Sequence, residues 1–146
     1  MSIDITKHDA VKACEQTFPL SLLDIDNKTE TGIIMLILGR HADPVKKWIN
    51  KTVSDNSRAQ IAAARKNKAI EPKSMDEIDA QNIEAAVIRV SGWQNVTQEF
   101  SKDLLRTVLQ RNPHFVDQII EESDNMANFS KGQSDSLPNT LGSSSD

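Results

Sequence analysis

The run Gly32-Ile33-Ile34-Met35-Leu36-Ile37-Leu38-Gly39 decides how this chain is read. It is short, rich in β-branched residues and bounded by glycines, which marks a strand rather than a helix. Upstream, Phe18 to Ile25 has the same character, with Pro19 near its start, where a missing amide donor is tolerated. Asp26-Asn27-Lys28-Thr29-Glu30 between them is turn chemistry, because Asx side chains bond their own backbone. The two segments are therefore expected to form an N-terminal β-hairpin. Both faces of its second strand are apolar, and a lone two-stranded hairpin is marginal in water. Helices or another chain must cover the second face.

Downstream the period changes to that of helices. Asp43-Pro44 reads as an N-cap followed by proline at the first helical position. Val45, Trp48, Ile49, Thr52 and Val53 then line one face. Further on, Arg58, Ala62, Ala63, Ala64, Arg65 and Lys66 favour helix but bury little, so this helix is expected to protrude or end loosely before Pro72. Ser74 to Glu77 is a capping box. It opens a helix with Ile83, Ala86, Val87 and Val90 inward and its end at Gly92. Phe100-Ser101 starts a third helix, with Ser101 as cap and Leu104, Leu105, Val108 and Leu109 as its apolar face. Asn112-Pro113 starts a fourth, striped by Phe115, Val116, Ile119, Ile120 and Met126. Asp117, Glu121, Glu122 and Asp124 crowd toward its negative end, so that end should fray or be held by a basic partner. The expected fold class is mainly α, with about four helices, one N-terminal β-hairpin and disordered termini. The expected organisation is a mobile N-terminus over residues 1–16, a hairpin-plus-helix domain over 17–129, and a disordered polar tail over 130–146.

Composition narrows the function classes. At 146 residues the chain fits one domain, but four Phe, two Trp and no Tyr give it a modest core. Marginal stability or reliance on a partner is expected. Cys14 stands alone, so no internal disulfide framework exists. The longest apolar run is far short of a bilayer span, and no basic leader followed by an apolar stretch opens the sequence; a cytosolic protein without membrane contact is expected. The net charge of −4 is uneven: Arg40 to Lys73 holds nine basic and three acidic residues, leaving −10 for the rest. That asymmetry can mark a nucleic-acid surface, and the basic face of residues 46–68 is where phosphates would pair. The aromatics, however, are not interleaved with those basic residues, and a pI near 5.4 opposes a dedicated binder. A solvated basic helix is the simpler expectation.

Reactive chemistry is sparse. His8 lies in the N-terminus, His114 in the first turn of a helix, and only His41, near Asp43, sits in a loop that suits a general base. Cys14 reads as a structural thiol. No Cys or His pair has metal-ligand spacing, and the five glycines form no phosphate-cradling loop. A protein without catalytic activity, metal or cofactor is expected.

The order of these features is more specific than any one of them. Thr29-Glu30-Thr31-Gly32, Gly39 and Asp43 are followed by Gly92-Trp93, Phe100-Ser101, Leu104-Leu105, Asn112-Pro113, Gln118-Ile119 and Asn128-Phe129. This pattern, over about residues 15–130, resembles the tail assembly chaperones of long-tailed bacteriophages. The chain departs from them in having Asp26-Asn27 where Asp-Pro is usual and Ala42-Asp43 where Asp-Ser is usual. The resemblance implies a protein that acts in the cytoplasm of the bacterial host and is absent from the finished virion. It implies binding to the tape-measure protein, recruitment of tail-tube subunits, self-association as a further possibility, and in some members a longer frameshifted form. The contact residues expected on that basis are Leu105, Val108, Leu109, Phe115 and Ile119 along helical grooves, with Phe129 standing beyond the last helix. A structural tail or neck component, or a basic-helix nucleic-acid binder, are the alternatives.

Overall fold

A computed structural model describes residues 2–67 and 73–130. Asp26 builds the tip of the expected hairpin. Its carboxylate accepts from the Lys28 and Thr29 amides at 2.9 and 2.8 Å and from the Thr29 hydroxyl, while Asn27 takes a left-handed φ of 59°. Gly32, at φ +85°, supplies a second left-handed residue where a side chain would be strained. The turn joins β1 (Phe18–Leu23) to β2 (Glu30–Ile37), which pair antiparallel, Gly32 lying within β2. The Thr29 hydroxyl, then the Thr29 and Lys28 amides, pull the exposed Asp26 carboxyl down to about 2. Because that value lies below the ordinary 3.8, the turn's contribution to stability is present above 3.8 and is lost as pH falls through about 2. A carboxyl NMR titration should place the Asp26 midpoint there and a Thr29→Val chain should raise it; an ordinary midpoint in the native protein would contradict this geometry.

The sheet has a third strand that the sequence reading missed. Val90 does not continue the preceding helix to Gly92: α3 (Met75–Arg89) stops, and β3 (Val90–Gln94) pairs antiparallel with the free edge of β2. The order is β1-β2-β3, so the most apolar strand lies in the centre with both edges bonded. Met35 and Ile37 point into the core, fully buried with Leu22 and close to Leu20. Ile34 and Leu36 turn to the opposite face, half-buried beside Ser21, Pro19, Gly92 and Gln94. Gln118 closes part of the outer edge of β1, its side-chain amide donating to the Leu23 carbonyl at 2.9 Å and accepting from the Leu23 amide at 2.8 Å.

Five α-helices occur among the described residues, where about four were expected: α1 (Ala10–Ala13), α2 (Asp43–Arg65), α3, α4 (Lys102–Arg111) and α5 (Pro113–Asp124). The capping box at Ser74 and the Ser101 cap form as read. The two proline starts differ in detail. Asp43 is already helical and pairs with Lys47 at 2.9 Å rather than capping. Asn112 makes no cap bond; its amide donates back to the Val108 carbonyl and closes α4. Trp93 on β3 packs edge-on against Phe100, with ring centroids 5.1 Å apart, and its indole N–H donates to the Gln98 carbonyl.

The N-terminal segment is tied to the body. Cys14 is wholly buried, and its carbonyl accepts from the Gly39 amide at 2.9 Å. A Cβ at Gly39 would stand 2.7 Å from both Cβ and Sγ of Cys14, so glycine is required by close approach. Gly39→Ala is expected to cost about 1–3 kcal/mol by overpacking. It should also turn slow labelling of the Cys14 thiol into fast labelling; unchanged labelling would show that the segment is not clamped. The expected polar tail lies, beyond Ser130, outside the described residues.

Candidate interaction surface

The six contact residues expected from the sequence are almost all interior. Leu105, Leu109 and Ile119 are fully buried, Phe115 and Phe129 nearly so, and Val108 is half-buried against them. The cause is the packing of α3 against both α4 and α5, and of α5 against β1, which gathers both apolar stripes into one cluster with Met35, Ile37, Ala86 and Val87. Phe129, expected to stand alone, lies in a 3-10 turn (Met126–Phe129) and packs edge-on against Phe18 at 6.1 Å. As the fold stands, these side chains form its core and offer a partner little accessible area.

Polar groups that the sequence reading did not single out lock this body. Arg89 is 4% exposed. Its guanidinium donates to the Ser123 hydroxyl at 3.0 Å, the Ala85 carbonyl at 2.6 Å and Asp124 at 3.4 Å. Burial lowers its pKa from the ordinary value, and Asp124 opposes that shift. The basic partner called for by the acidic end of α5 is thus internal, an arginine from α3. Asn128 adds to it by donating to the carbonyl and carboxylate of Glu122. Lys102 donates to the Val87 and Val90 carbonyls, both at 2.9 Å, closing the C-terminal end of α3. Burial lowers its pKa, Arg106 adds to that, and Glu84 opposes it. Arg106 grips Glu84 with two bonds of 2.7 and 3.0 Å, and chiefly for that reason its pKa is raised. An arginine at a helix end four residues after Ala85 was the available signal for the Arg89 lock, but its partner is 34 residues away.

The residues weighed for chemistry are scattered. His8 is exposed, His41 is half-buried in the loop between β2 and α2, and His114 lies in the first turn of α5 with its ring 4.4 Å from that of Phe115. The Cys14 thiol is buried. Among the described residues no three His, Cys, Asp or Glu side chains gather as metal ligands. Among the same residues no helix is long and apolar enough to cross a membrane. A concavity of about 670 Å³ opens between α1 and the 3-10 turn, lined by Lys7, His8, Lys12, Gln16, Met126 and Phe129 among others.

The exposed large apolar side chains lie elsewhere: Ile3, Ile5 and Val11 near the N-terminus, Ile25 at the hairpin turn, Met126 after α5, and a further group on α2 and the start of α3. Of the 23 residues of α2, only Val45 is buried. Val53 and Ile61 are 59% and 54% exposed, and on α3 Met75 and Ile78 are 70% and 39% exposed. Ile49, Thr52 and Ala63 are half-buried and mark the stripe that faces the body. The opposite side of α2 carries Lys47, Lys51, Arg58 and Arg65, at spacings of four, seven and seven, which returns each to nearly one line on a helix of 3.6 residues per turn. Lys73, just before α3, donates to Asn56 and Gln81, tying α2 to α3. The protrusion expected from the alanine-rich sequence is present.

These features define a mainly helical body on a small three-stranded antiparallel sheet, with one long basic helix held only along its inner stripe. The chain belongs to the YdaY prophage protein family, whose model matches residues 47–137, from the second turn of α2 through Phe129 and beyond. It is thus a prophage protein. Neither a curated protein nor a solved structure gave a match.

Proposed function

We propose that this prophage protein is a tail assembly chaperone, which binds the tape-measure protein and helps recruit tail-tube subunits in the cytoplasm of the bacterial host. It works by binding, without catalysis or cofactor. The observation that carries this reading is the placement of apolar side chains. Among the described residues sixteen apolar side chains are packed into one core, while Val53, Ile61, Met75 and Ile78, among the large apolar ones left exposed, gather on two neighbouring helices rich in charge. Exposed apolar area rimmed by charged groups is what a soluble protein keeps for a partner. Membership in a prophage family supports a phage-related role, and the sequence resemblance to tail chaperones implies the partner: a long helical protein that needs its own apolar surface covered.

Co-expression with the tape-measure polypeptide of the same prophage tests this. The chaperone should move the tape-measure chain from the insoluble to the soluble fraction and elute with it. A Val53→Ser, Ile61→Ser chain, altered only at exposed positions, should fold normally and lose that effect. No change in tape-measure solubility with the native protein would end the proposal. Recovery of the protein from purified particles by mass spectrometry would instead favour a structural tail or neck component.

A further inference from the structure

We infer that the outer ridge of α2 is a docking seat for an acidic amphipathic helix, with Lys47, Lys51, Arg58 and Arg65 meeting its carboxylates and Ile61 its apolar stripe. This deepens the proposed function by stating the chemistry of the partner face, and it rests on the protein being a binder of other proteins.

Three observations lead there. First, the four basic residues share the face opposite the stripe that holds α2 to the body, so the whole line is presented outward over about 27 Å, eighteen residues at 1.5 Å each. Second, the charge is uncompensated where it stands. Lys47 pairs with Asp43, but among the described residues no carboxylate lies within ion-pair reach of Lys51, Arg58 or Arg65. The segment Arg40 to Lys73 carries +6 against −10 elsewhere. A partner bearing carboxylates at helical spacing neutralises that row without moving α2. Third, Ile61 stands beside that line, three residues from Arg58 and four from Arg65 and so within one turn of both, and is 54% exposed.

The apolar residues separate a helix from a nucleic acid as occupant. A phosphate backbone gains from the cations but leaves Ile61 in water, whereas an amphipathic helix buries it. No exposed aromatic accompanies the ridge to stack on bases; Trp48 is half-buried on another face of the helix.

The test uses the full chain and three fluorescent probes at about 150 mM salt, where weak surface attraction is screened. One is a synthetic helical peptide with a leucine stripe flanked by glutamates at i, i+4 and i+7; one is the same composition scrambled; one is duplex DNA. The patterned peptide should bind about tenfold tighter than the scrambled one. Arg58→Glu with Arg65→Glu should weaken it by about tenfold or more, several exposed ion pairs being reversed at once. Ile61→Ser should abolish the preference for the patterned peptide. All three positions are exposed, so unchanged circular dichroism is expected. Equal binding of the two peptides, or tighter binding of DNA than of the patterned peptide, overturns the inference. Tape-measure capture that persists undiminished in the Arg58→Glu, Arg65→Glu chain would overturn the ridge as the seat while leaving the chaperone reading intact.

Discussion

Ile119→Ala is expected to lower the unfolding free energy by about 2–5 kcal/mol, out of the 5–15 kcal/mol typical of a domain. Ile119 is fully buried where α5 meets the sheet, in one cluster with Leu105, Leu109 and Phe115. Truncation removes buried methylenes and leaves a cavity that a helix locked by Gln118 on one side and Arg89 on the other cannot easily close. Urea unfolding followed by circular dichroism should show a lower midpoint with an unchanged slope. Val108→Ala, half-buried on α4, should lose clearly less. A native-like midpoint for Ile119→Ala would mean that this face of α5 is solvent-accessible in solution, as the sequence alone had suggested for a contact surface.

Phe129→Ala carries the second large effect, about 3–5 kcal/mol for a buried aromatic, including the edge-on contact with Phe18. Were Phe129 standing beyond the last helix, as expected from the sequence, truncation would leave folding intact and weaken tape-measure binding. With the ring 7% exposed, stability falls as well, so weakened binding alone no longer identifies a contact. Phe129→Leu separates the two. It keeps most of the apolar volume, so the midpoint should be largely restored. If tape-measure capture returns with it, Phe129 acts through the fold; if capture stays lost while stability returns, the ring itself is a contact.

The residues that misled the reading did so for one reason. An apolar stripe at a spacing of three and four is written identically whether it faces a core or a partner. Leu105, Leu109 and Ile119 carry no local mark that distinguishes the two. The exposed set is no easier to see, since Val53 follows Thr52 in an unbroken helix and only a rotation of 100° separates the half-buried stripe from the open flank. Gly92 misled differently. Its natural reading is a helix stop, but Val90, Ser91 and Trp93 around it suit a strand, and the free edge of β2 offered them backbone partners.

What the sequence by itself determined is everything set within a few residues: the hairpin and its Asp26 turn, the capping box at Ser74, the Ser101 cap, the junction at Asn112-Pro113, and the protruding alanine-rich end of α2. Each depends on bonds between near neighbours, which spacing reports directly. Only the tertiary structure decided the third strand, the burial of Cys14 under Gly39, the capture of the acidic end of α5 by Arg89, and which apolar faces stay open. Those depend on contacts between segments 34 to 95 residues apart in the cases of Arg89 with Ser123 and Leu23 with Gln118. No local pattern encodes such partners. They are chosen when the apolar faces of β2, α3, α4 and α5 compete for one core and the surplus is left facing water.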